Sequence, residues 1–154
     1  MLPFKKIACP TDFSQASFQA LQAADEIALQ FSAELLLMHI NPTIPVMPTG
    51  HGPIGFNIPE YEREMSRFAE QKLDEIARNK VSPGIRSVIK IGMGDAASEI
   101  VRIASEEKAD LIVMATHGLT GWRRFIVGSV TERVVRMAAC PVLTIQVPEE
   151  NQKS

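Results

Sequence analysis

Cysteine is scarce in this chain. Only Cys9 and Cys140 occur in the 154 residues, far apart in sequence. No disulfide framework is implied, and a reducing compartment fits best. Long apolar runs are also missing: the longest are five or six residues, where a membrane-spanning helix needs about 20. The first residues, MLPFKKIACPTD, carry two lysines but neither an apolar signal core nor a small-residue cleavage site. A membrane partner is therefore not expected, and the cytoplasm is the expected location. Excess charge of one sign is lacking too. A net charge of −2 gives no broad basic field, which argues against nucleic acid as a partner.

Several chemical signatures are absent. There is no GxxxxGK[ST] loop, no GxGxxG after the first apolar run, and no GxSxG elbow. His39, His51 and His117 have no zinc-ligand spacing, so no metal site is expected from them. Cys9 precedes Pro10 and has no evident base, which makes it a structural thiol and not a nucleophile. No catalytic residue is assigned.

What the chain does contain is a regular alternation. With 45% hydrophobic and 22% charged residues, its length suits one domain around one core. Strands are predicted at 4–9, 34–40, 85–91, 110–115 and 141–147, with amphipathic helices between them. ELLLMHI and DLIVMA are apolar on both faces and so central, whereas IRSVIKI carries Arg86 and Lys90 on one face and suits an edge. On the helices, Phe18, Leu21, Ala24, Ala28 and Phe31, then Tyr61, Met65, Phe68, Ala69, Leu73 and Ile76, form inward rows. Ala97, Ile100, Val101 and Ala104, then Val130, Val134 and Met137, do the same. Residues 41–59 hold five of the ten prolines and three glycines, and read as a long loop that either covers a site or lies apart from one.

A β-α-β-α-β-α-β-α-β order without repeats predicts an α/β domain with a parallel sheet and helices on both faces. Ligands of such sheets bind beyond the carboxyl ends of the strands, where the winding direction reverses. That directs attention to PTDFS (10–14) and to ATHGLTGWRRFIVGSVTERV (115–134). Gly118 and Gly128 permit left-handed backbone or close approach of a ligand. Ser129 stands where a helix begins, and the exposed amides of a first turn attract anions. The same SVTE run also fits a capping box in which Ser129 and Glu132 cap each other. Asp12 could take a ribose hydroxyl, help hold a cation, or cap the next helix. Arg123 and Arg124 could meet phosphates or simply face water.

PTDFS, LIVMATHG, GSVTERV and CPVLTI, in this order and spacing, resemble the universal stress protein family across almost the whole chain. The resemblance implies a five-stranded doubly wound sheet of order 3-2-1-4-5 over residues 1–148, followed by a polar tail at 149–154. It also implies an ATP-binding, homodimeric stress-response protein. ATP-binding members carry Gly, two residues, Gly, nine residues, Gly, then Ser or Thr. Gly118, Gly128 and Ser129 match, while the first position is Ala115. If that position needs positive φ, alanine costs about 1–2 kcal/mol; if it needs only a small residue, alanine serves.

By the same resemblance, the backbone of Ile40 would read adenine and Asp12 would face the ribose. The amides of Gly118, Gly128, Ser129 and Val130 would hold phosphates with the Ser129 hydroxyl, and Pro10, Thr11, Met114, Ala115 and Thr131 would line the pocket. An accompanying Mg²⁺ or Mn²⁺ would find only Asp12 as an obvious protein ligand. The dimer would form through the last strand, Val142 to Val147. A nucleotide-free dimeric interaction module and a slow ATPase remain the alternatives.

Overall fold

The structure, a computed structural model, describes residues 2–45, 57–116 and 128–147. Strands β1 (Lys6–Pro10), β2 (Glu34–Asn41), β3 (Ser87–Met93), β4 (Leu111–Ala115) and β5 (Val142–Ile145) alternate with helices. These are α1 (Gln15–Phe31), α2 (Ile58–Lys80), α3 (Ala96–Glu106) and α4 (Ser129–Met137). All strand pairs are parallel, and the sheet order is β3-β2-β1-β4-β5.

Alternation along the strands sorts the core into two layers. Ile7, Cys9, Leu35, Leu37, Leu111 and Val113 meet α1 and α2 on one face. Ala8, Leu36, Met38, Ile112 and Met114 meet α3 and α4 on the other. Both faces of β1, β2 and β4 are thereby buried, which is why their sequences read as continuous apolar runs. The chain winds leftward from β1 through β3, then crosses back to β4. The direction thus reverses between β1 and β4, which are neighbours.

Local chemistry fixes the helix ends. Ser14 caps α1 by accepting from the Ser17 amide, Asn57 caps α2 by accepting from Glu60, and Asp95 caps α3 by accepting from Ser98. The buried Asp25 of α1 accepts from the Ser82 amide at 2.8 Å and from its hydroxyl at 2.6 Å, which ties α1 to the turn before β3.

Some inward rows are narrower than the sequence predicts. In α2, Ala69, Leu73 and Ile76 are buried, while Tyr61 and Phe68 are exposed. In α4, Thr131 and Val134 are buried, whereas Val130 and Met137 are exposed. This helix packs chiefly beside α3, so only Thr131 and Val134, three residues apart, turn inward. Strand β5 is also shorter than the predicted run: Leu143 is exposed and Val142 packs against the α3–α4 layer. No helix among the described residues is long and apolar enough to cross a membrane.

Candidate functional site

At the carboxyl ends of β1 and β4 lies a cavity of about 350 Å³. Pro10, Thr11 and Asp12 enter it from β1 and the following loop, and Ile40 enters from β2. Met114 and Ala115 come from β4, Thr116 follows it, and Gly128 to Thr131 come from the start of α4. Every residue assigned to nucleotide binding from the sequence lines this cavity except Gly118, which lies outside the described residues with positions 46–56 of the proline-rich loop, His117, Arg123, Arg124 and residues 148–154.

The loop after β1 is held by its own side chains. The Thr11 amide donates to Met38 O at 2.8 Å, and its hydroxyl oxygen accepts from the Phe13 amide at 3.0 Å. Ser17 Oγ donates to Ser14 O at 2.8 Å, so Thr11 Oγ1 is the donor in its 2.8 Å contact with Ser17 Oγ. Asp12 Oδ1 accepts from the Ser14 amide at 3.0 Å, closing an Asx turn. Asp12 therefore shapes the turn ahead of α1, while the helix cap itself is Ser14.

Phe13 takes a left-handed φ of 65°, a costly conformation for a bulky residue. Its ring stacks on His39 with centroids 4.4 Å apart, and Lys72 lies over it at 5.1 Å. His39 Nδ1 is 2.8 Å from Thr11 O. A carbonyl only accepts, so Nδ1 carries the proton in this pair.

At the far wall, the cap of α4 is Gly128, and no side chain caps the helix. Ser129 is its first helical residue, so the Ser129–Glu132 capping box does not form. Glu132 pairs instead with Arg136. Gly128 has φ −67° and ψ 156°, an extended conformation open to any residue. Its amide donates to Thr116 O at 2.6 Å and is not available to a ligand. The amides of Ser129, Val130 and Thr131 have no intrahelical acceptor. The Thr131 hydroxyl donates to Ala115 O at 2.9 Å, locking α4 against the end of β4.

Ala115 is an ordinary strand residue, paired with Ile145 and absent from the positive-φ positions. Its methyl packs with Ala16, Ala20 and Val147 on the α1 face. The adjacent Met114 faces the α3–α4 layer.

The sequence did not point to Ser17, His39, Ala96 or Ile100, which also line the cavity, as does Thr116 from the 115–134 stretch. Ser17 lies one turn into the helix that Asp12 precedes, a position the PTDFS loop could have suggested. Ala96 and Ile100 arrive on α3 by the long crossover and carry no local signal. The wall formed by Ile40, Ile100 and Met114 is apolar, facing the polar rim of Thr11, Asp12 and Ser129. This arrangement suits a flat apolar group with an anionic tail. Among the described residues no cluster of three His, Cys, Asp or Glu side chains could hold a metal ion.

Comparison with known proteins fits this geometry. Residues 3–146 match the model of the universal stress protein family. Universal stress protein MJ0531 of Methanocaldococcus jannaschii is 36% identical over 150 residues, covering 96% of this chain and 85% of its own length. Hypothetical protein MJ0577, the subject of a structure-based assignment of biochemical function, superposes with a TM-score of 0.80 at 28% identity, covering 95% of this chain and 98% of its own. A universal stress protein solved in complex with cAMP superposes with a TM-score of 0.60 at 23% identity, covering 94% and 98% of the two chains. With the family model spanning nearly all of the sheet and its cavity, the chain belongs to the universal stress protein family.

Proposed function

We propose that the chain is an ATP-binding, homodimeric stress-response regulator whose nucleotide occupies the cavity at the ends of β1 and β4. The observation that carries this reading is the pairing of an apolar slot, Ile40, Ile100 and Met114, with the uncapped first turn of α4 across one cavity. The slot would take adenine, with the Ile40 backbone at its edge and Asp12 toward the ribose. The amides of Ser129, Val130 and Thr131, and the Ser129 hydroxyl, would hold phosphates. The cavity volume falls in the range of small-molecule sites, roughly 300–1,000 Å³, and the α4 terminus stands at its rim. That the same fold holds cAMP in one solved protein supports a nucleotide-sized occupant.

Mg²⁺ or Mn²⁺ would accompany the phosphates, with Asp12 as the carboxylate in the lining. Occupancy would bias the surface around α4 and so the choice of partner. The exposed Leu143 on edge strand β5 supports pairing with a second copy. A cytoplasmic site of action accords with the free cysteines.

Calorimetry of the purified protein with ATP, with and without Mg²⁺, tests the reading. Saturable binding lost in Gly128→Val is expected. Absence of binding by protein stripped of endogenous nucleotide would leave a nucleotide-free module, and steady release of ADP would make it an ATPase. Light scattering after Leu143→Lys tests the dimer, with a shift to monomer expected.

A further inference from the structure

Asp95 stands at the end of α3 that faces the cavity, one residue before the lining residue Ala96. It is held there by its capping role: it accepts from the Ser98 amide at 3.0 Å and from the Ser98 hydroxyl at 2.7 Å. Capping therefore places a full negative charge at the rim of a site whose other wall is built for anions. Left alone, that carboxylate would repel each added phosphate.

Arg133 answers it from a different helix. Its Nη1 and Nη2 donate to Asp95 Oδ1 and Oδ2, both at 2.8 Å, a bidentate pair across 38 residues of sequence. The guanidinium holds the Asp95 carboxyl well below the usual carboxylate range. Arg133 lies one helical turn beyond Ser129 and three residues beyond Val130, both of which line the cavity. The neighbouring charges are already engaged: Glu99 with Arg102, and Glu132 with Arg136. Among the described residues, Arg133 is the cation that neutralises Asp95.

Resting on the nucleotide reading, we propose that Arg133 is a specificity-determining residue that sets how strongly the cavity favours polyphosphates, by screening the Asp95 carboxylate at its rim. The pair also ties α3 to α4, so the two walls keep their spacing. A purely structural tie would affect every ligand alike, whereas screening acts in proportion to ligand charge.

The test is calorimetry of the full chain with adenosine, AMP and ATP, for wild type, Arg133→Gln, Asp95→Asn and the double variant, with circular dichroism confirming the fold of each. Asn is as good a cap as Asp, so Asp95→Asn removes charge and leaves α3 intact. Arg133→Gln should weaken ATP roughly three- to tenfold and adenosine less than about twofold. Asp95→Asn should strengthen ATP by a similar factor. The double variant should return toward the wild-type ratio of ATP to adenosine affinity, and added salt should shrink all these differences. Equal losses for adenosine and ATP in Arg133→Gln, or weaker ATP binding in Asp95→Asn, would overturn the proposal and leave the nucleotide reading intact. A wild type that binds none of the three ligands would remove both.

Discussion

Ala115 is where a family pattern and a side chain's direction give different answers. Read as a substituted glycine, it suggested backbone strain, yet its backbone is an ordinary strand and its methyl packs toward α1. Replacing it with Gly should therefore leave ATP affinity unchanged within about twofold. It should also lower stability by roughly 0.5–1 kcal/mol, since Gly adds backbone freedom to the unfolded chain; calorimetry and thermal melting read the two effects. The cysteines give a second residue-scale outcome. Burial pushes the Cys9 thiol up to about 12, while Cys140 is only half-buried and its thiol is raised chiefly by desolvation. Mass spectrometry after iodoacetamide treatment at pH 8 should show Cys140 modified first, with Cys9 modified only on unfolding.

At the scale of elements, β3 controls the cavity from one strand away. Gly92 is the register partner of Ile40, and a Cβ there would come within 2.6 Å of Ile40 Cδ1 and 3.0 Å of Ile103 Cδ1. Both atoms are the far ends of side chains, so the core would yield instead of breaking. Gly92→Ala should cost about 1–2 kcal/mol in thermal or urea unfolding. By turning Ile40 into the slot it should weaken adenosine and ATP by the same factor, a pattern distinct from that of Arg133→Gln. The exposed Phe68 and Val130 belong to this scale too. Sequence periodicity marks an apolar stripe, but how much of the stripe is covered depends on the sheet beneath, which α2 and α4 overlap only partly.

For the molecule as a whole, the charged ties bound the pH range of stability. Lys90 and then Lys6 hold Glu107 below its ordinary range, and Arg133 does the same for Asp95. Groups with depressed pKa stabilise fully above their unfolded values, about 4, and that contribution is lost as pH falls through the folded values. The reverse holds on the alkaline side. Cys9 ionises in the unfolded chain near its ordinary value of 9.0 but only at about 12 when folded, so stability should fall once pH exceeds about 9. The melting temperature should form a plateau between about pH 5 and 9, and Glu107→Gln should soften the acid edge. A scan of melting temperature against pH checks both.

Strand positions, a parallel sheet and helices on both of its faces were legible in the chain, because a strand covered on both faces must be apolar throughout and a helix on one face must repeat every three or four residues, whereas the order 3-2-1-4-5 came from the family resemblance. The residues near the ends of β1 and β4 could also be named, since their loops follow apolar runs whose placement the topology dictates. Hidden from any linear reading were Ala96 and Ile100 in the cavity wall, the cap at Gly128 in place of Ser129, the direction of the Ala115 methyl and the pairing of Asp95 with Arg133. Each depends on how α3 and α4 settle against the sheet. Local sequence sets which element forms, but the meeting of side chains from distant elements follows from packing, and packing exists only once the crossover has brought them together.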